Sequence, residues 1–171
     1  MLADEGELGL VPRVGRAGRS PRVRHVDVQV PAVRALLVRV GVGAVRAAAH
    51  EDINFITILC EATESGLELL THDGTWLAVE SGPGQMVVDS GDMLSRICND
   101  IIPSTTHRVV NPPNAKNVAR YSMPFFMHPN PDALLSCIPS CRGLGAKYTD
   151  ISANEFLMQR LREIGLKEAK I

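Results

Sequence analysis

Between Ile53 and Met127 the chain never runs far without a Gly, Pro or Asn/Asp break. Ile53 to Ala62 is rich in β-branched and apolar residues and predicts a buried strand. Gly66 to Leu70 and Trp76 to Val79 flank His72-Asp73-Gly74-Thr75, and Asp-Gly between apolar runs is a hairpin signal. Ser81 to Gly84 predicts a turn, Gln85 to Asp89 a strand, and Met93 to Asn99 a short helix. Thr105 to Val110 and Val118 to Met127 predict two more strands, separated by Asn111-Pro112-Pro113-Asn114. Short strands with Gly/Pro turns at this density imply a sandwich or jelly roll. A helix closes the chain. Ser152 and Glu155 have capping-box spacing, Phe156, Leu157, Leu161 and Ile164 recur at helical period, and Gly165 is a natural stop.

The first 46 residues differ in kind. They hold eight Arg and no Lys, and lack Phe, Tyr, Trp, Ile, Thr, Asn and Cys altogether. Usage this narrow is low complexity rather than that of a packed domain. Asp4, Glu5 and Glu7 argue against a transit peptide, and a shifted reading frame or displaced gene start is the working explanation. The expected division is an atypical segment over 1–44 and one domain over 45–171. A net charge of -1 offers no electrostatic case for nucleic acid or an anionic membrane. No apolar stretch approaches a membrane span, and no signal peptide is evident. Cys60, Cys98, Cys137 and Cys141 form no Cys-x-x-Cys pattern and read as reduced thiols of a cytoplasmic protein.

The chemistry concentrates in His50-x-Asp52 and a distant His107. Two imidazoles and one carboxylate are the facial-triad ligand set, which holds non-haem Fe(II) and leaves positions open for reaction. Zinc accepts the same donors, so ligand type alone does not separate the two. Arg120 and Ser122 stand two apart on an expected strand and so share a face. Together they can grip a carboxylate with a guanidinium fork and a hydroxyl, which favours iron with a keto acid.

These motifs lie in a fixed order: His50-Glu51-Asp52-Ile53-Asn54, Gly91-Asp92-Met93-Leu94, Ser104-Thr105-Thr106-His107-Arg108-Val109, and Arg120-Tyr121-Ser122-Met123-Pro124-Phe125-Phe126. From about Val45 onward the chain resembles the isopenicillin N synthase-like family of Fe(II)/2-oxoglutarate-dependent dioxygenases. The resemblance implies a mainly β, double-stranded β-helix (jelly-roll) domain with a C-terminal α-helix, lacking the family's N-terminal part. It implies Fe(II) on His50, Asp52 and His107, and 2-oxoglutarate with its distal carboxylate on Arg120 and Ser122. It also implies dioxygen as oxidant, ascorbate as an auxiliary reductant, and a small organic substrate to be hydroxylated, desaturated or cyclised. The family's upstream Tyr or Asn for the keto acid has no counterpart in residues 1–46.

Weaker candidates follow from alternation. Asn54 and Ile56 share the period-two face of Asp52 and are expected near substrate, with Phe126 as a pocket wall. Arg108 alternates with His107 and should point away from the metal. His72 and His128 are expected in solvent, Asn111 in a turn, and Asp89 and Asp92 as caps of the helix at Met93. Two rival functions stay open: a same-fold Fe(II) oxidase without 2-oxoglutarate, and an inactive, truncated jelly-roll protein. Substrate identity and oligomeric state are not legible in the sequence.

Overall fold

The computed structural model describes residues 44–114 and 118–166, so the atypical segment up to residue 43 lies outside the described residues. The strands are β1 (Val45–His50), β2 (Ile56–Cys60), β3 (Leu67–Leu70), β4 (Trp76–Ala78) and β5 (Met86–Ser90). Helix α1 (Asp92–Ile97) follows, then β6 (His107–Val110), β7 (Pro124–Met127), β8 (Leu134–Leu135), a 3-10 turn at Pro139–Cys141, β9 (Ile151–Ser152) and α2 (Ala153–Glu163).

One sheet has the order β1-β6-β3-β4, a second β5-β2-β7, and a small third pairs β8 with β9. Every pairing is antiparallel, and the central strands β2 and β6 each pair with partners remote in sequence. This is the crossed connectivity of a jelly roll, with a C-terminal helix as expected. The Asp73-Gly74 hairpin joins β3 to β4, with Gly74 at φ +82° where a side chain would be strained.

The chain passes from the first sheet to the second over residues 51–55, and α1 seals that crossover. Asp92 N donates to Asp52 O at 2.8 Å and Met93 N to Asn54 O at 3.1 Å. The approach requires glycine at position 91: a Cβ there would lie 2.3 Å from Asn54 O and 2.8 Å from Asp52 O. Beneath it sits the core of Met93, Leu135, Ala153 and Phe156, packed by Ile53, Phe55, Ile97, Ile151 and Leu157. Burying Met93 and Phe156 contributes about 1.5–3 kcal/mol each. Helix α2 is anchored by its capping box, Ser152 Oγ accepting from Glu155 N, and stops before Gly165 at φ +76°.

Several expectations need correction. The strand predicted from Ile53 begins at Ile56, because residues 53–55 are spent on the crossover. The strand predicted over Val118–Met127 is confined to Pro124–Met127. Before it, Tyr121 N donates to the Thr63 hydroxyl instead of a carbonyl, and Pro124 has no N–H to donate, so the ladder stops. Asp89 and Asp92 do not cap α1. Gly91 is the N-cap without a side-chain bond, and Asp92 pairs with Arg160 of α2 at 3.0 Å. No sequence signal announces the two-residue strands β8 and β9, since a bridge that short has no period to read.

Candidate active site

His50 ends β1 and His107 begins β6, and the sheet register pairs them directly. Their ring centroids are 4.3 Å apart at 52°. Asp52 follows at the start of the crossover, which turns its carboxylate back: Oδ1 lies 3.8 Å from His50 Nε2. Ligand atoms of His50, Asp52 and His107 all fall within 4.8 Å of one another. Asp52 is buried, whereas the His50 side chain is 48% exposed, so the cluster has a dry base and an open side.

Both rings are oriented by their other nitrogen. His50 Nδ1 lies 2.7 Å from Ala48 O, and His107 Nδ1 3.0 Å from Thr105 O. A carbonyl only accepts, so each Nδ1 is a donor and Nε2 is the nitrogen left for a metal. Asp52 Oδ2 accepts from Thr57 Oγ1, and Thr57 Oγ1 accepts from Asn54 Nδ2 at 2.8 Å. That chain occupies one carboxylate oxygen and leaves Oδ1 toward the histidines. Asp89 Oδ2 stands 3.3 Å from His107 Nδ1. Burial pushes the Asp89 carboxyl above the usual range, opposed by the Thr105 hydroxyl and the His107 charge, with the Asp52 charge reinforcing the rise. Two imidazoles and a carboxylate, each braced by a second residue, fit a divalent cation with open positions.

Arg120 is 7% exposed. Its Nε donates to Glu64 O at 2.9 Å and its Nη1 to Ser122 Oγ at 3.2 Å. Among the described residues no carboxylate pairs with it. It lines a cavity of about 320 Å³ bounded also by Leu59, Leu67 and Val87. Burial lowers the pKa of its guanidinium, and the Arg46 charge lowers it further. Arg46 itself donates through Nε to Asn111 Oδ1 and through Nη2 to Val118 O at 3.2 Å.

The remaining expected residues divide. Phe126 pairs with Thr57, so the two share a face of the second sheet. Ile56 neighbours Thr57 on the strand and takes the opposite face, away from Asp52. Asn54 is 1% exposed and donates to Thr57, which in turn holds Asp52. The alternation from Asp52 fails because the crossover is not extended. Arg108 points away as expected, pairing with Glu68 at 2.7 Å over the Trp76 ring. His72 lies in the β3–β4 turn. His128 is exposed as expected, although desolvation of its ring lowers its pKa against the pull of Asp52. Asn111, expected in a turn, is 4% exposed and accepts from Arg46 Nε. Thr57 escapes the sequence reading, and Asp89, expected there as a helix cap, stands beside His107 instead. Asp89 alternates with Val87 on its strand, and a carboxylate on the face of an inward valine is the available signal.

The family model of the 2OG-Fe(II) oxygenase superfamily matches residues 28–129, and the chain belongs to that superfamily. Membership brings Fe(II) and 2-oxoglutarate as cofactor and co-substrate, and the donor set fits them. The chain is 38% identical over 112 residues to the 2-oxoglutarate-Fe(II) type oxidoreductase hxnY of Emericella nidulans, covering 64% of this chain and 31% of that protein. It superposes on a full-length Neurospora crassa protein solved in complex with alpha-KG at TM-score 0.66 and 34% identity, covering 77% and 42% of the two chains. A 2OG-Fe(II) oxygenase family protein of Caulobacter crescentus gives TM-score 0.66 at 50% identity, covering 70% and 40%. The chain thus spans about a third of the length of the curated relatives it matches.

Proposed function

We propose that this chain carries the catalytic centre of a dioxygenase dependent on Fe(II) and 2-oxoglutarate, acting on a small organic molecule. In this reading His50, Asp52 and His107 hold the metal, and Arg120 with Ser122 grips the distal carboxylate of the keto acid. The observation that carries it is Arg120: a buried guanidinium whose acceptors are a carbonyl and a hydroxyl. A buried charge without a counter-charge is costly, and a dicarboxylate supplies one. When bound, the iron couples oxidative decarboxylation of the keto acid to succinate and carbon dioxide with oxidation of the substrate by dioxygen.

The protein's own residues do the positioning. Ala48 O and Thr105 O accept from the two Nδ1 groups, which leaves Nε2 of each ring for the metal. Thr57 fixes the Asp52 carboxylate, and Asp89 steadies His107. Ser122 accepts from Arg120 Nη1, and the dry floor strengthens each contact. Phe126 is placed to wall the substrate side. That the Neurospora crassa protein has also been solved with thymine supports small, flat molecules as the substrate class to screen first. We place the domain over 45–171, with the family match reaching back to residue 28, and the four free cysteines support a cytoplasmic location.

Anaerobic addition of Fe(II) and then 2-oxoglutarate to the purified chain tests the reading. A visible metal-to-ligand charge-transfer band is expected. Its absence from a folded sample that binds Fe(II) would sink the keto-acid assignment and favour an oxidase that does without one.

A further inference from the structure

Resting on that reading, we propose that Arg46 is a second binding residue for the distal carboxylate of the keto acid, acting beside Arg120. Strand β1 is irregular at this residue. Val45 pairs with Val110 and Ala47 with Val109, so Arg46 is the extra residue of a bulge. Bulges near active sites re-aim a side chain that regular alternation would send elsewhere. Here the side chain reaches Asn111, the residue just past the end of β6, and then the carbonyl of Val118, two residues before Arg120. Arg46 therefore ties the metal-bearing strand to the segment that carries the clamp.

The charges make the case. Arg46 and Arg120 make four hydrogen bonds between them, to Asn111 Oδ1, Val118 O, Glu64 O and Ser122 Oγ. All four acceptors are neutral. Among the described residues neither guanidinium has a carboxylate partner, although Glu61, Glu64 and Glu80 line the same cavity as Arg120. Arg46 Nη2 bonds the Val118 carbonyl, two residues before Arg120, and the Arg46 charge adds to burial in lowering the Arg120 pKa. A protein that builds two like charges into one half-buried corner, each oriented by neutral groups, leaves an anion to complete it. A carboxylate is flat and accepts from two directions, so it can take one guanidinium at each oxygen. The arrangement would discriminate strongly between keto acids with and without a distal carboxylate.

The test compares 2-oxoglutarate with pyruvate, which keeps the chelating end and lacks the distal carboxylate. Apparent Kd values come from the anaerobic charge-transfer band on the Fe(II)-loaded full chain. Arg46→Met should weaken 2-oxoglutarate by about tenfold or more, the scale of a lost hydrogen bond to a charged group, and leave pyruvate and Fe(II) within twofold. Equal weakening of both keto acids, or of neither, overturns the proposal. If the wild-type chain itself does not prefer 2-oxoglutarate over pyruvate, the Arg120 clamp fails and this inference with it. Should Arg46→Met fail to fold, the wild type decides. Phenylglyoxal labelling of Arg46, located by mass spectrometry, should be suppressed by 2-oxoglutarate and not by pyruvate. Labelling indifferent to 2-oxoglutarate also overturns it.

Discussion

Replacing Thr57 by valine exchanges one hydroxyl for one methyl in a side chain that is 5% exposed, so shape is kept and only hydrogen bonding changes. Two bonds disappear: the donation to Asp52 Oδ2 and the acceptance from Asn54 Nδ2. The bond to a carboxylate is worth about 1.5–3 kcal/mol. Asn54 is 1% exposed and its Oδ1 already has no partner, so orphaning its Nδ2 adds about 1–3 kcal/mol. The metal-free protein should lose about 2.5–6 kcal/mol if the two add, a fall in Tm on the order of 10 °C for a domain of this size. The released Asp52 carboxylate should also bind Fe(II) about 10–100-fold more weakly, as for other residues that orient a metal ligand. Calorimetry of the metal-free chain and anaerobic Fe(II) titration measure the two effects separately. Thr57→Ser restores the hydroxyl and should recover most of the affinity. If Thr57→Val lowers Tm yet leaves Fe(II) affinity within twofold, the hydroxyl only supports the fold and the argument from Asp52 orientation is wrong.

Further outcomes are expected. His107→Ala should abolish measurable Fe(II) binding and all iron-dependent turnover while the chain still melts cooperatively; unchanged turnover would refute its role as ligand. Arg120→Leu should weaken 2-oxoglutarate by about 100-fold or more with Fe(II) affinity nearly kept, since the lost contact is charge-assisted and two-pronged. Equal loss of both would indicate misfolding. Asp89→Asn should act in opposite directions on stability and on metal. Burial holds the Asp89 carboxyl above the ordinary value of 3.8. The stability tied to its protonated form is therefore full below that value and is lost as pH rises through the folded pKa. At pH 7 the metal-free Asn variant should melt no lower than wild type, and its advantage should vanish in acid. Its Fe(II) affinity should nevertheless fall, because His107 loses a negatively charged neighbour; a thermal profile with no pH dependence relative to wild type would contradict the assignment.

The parts legible in sequence are those whose physics is local. Ser152 and Glu155 announce the start of α2 because a capping box closes within one turn. Asp73-Gly74 announces a hairpin because the turn needs a residue at positive φ. His50, Asp52, His107, Arg120 and Ser122 are legible as a motif set, since residue type and order are properties of the chain. Tertiary structure alone decides which atoms meet. His50 faces His107 because two strands far apart in sequence share a register, and no local period encodes a pairing across that distance. Thr57 supports Asp52, and Ile56 does not, because the crossover over 51–55 breaks the alternation on which the prediction relied. Asp89 reaches His107 only through the pairing of β5 with β2, and Arg46 reaches Asn111 only because a bulge breaks the β1 alternation. The sequence by itself determined which groups the site contains and their protonatable chemistry. Only the packed sheets decided their orientation, because side-chain direction is set by register and burial, which belong to pairs of strands and not to either one alone.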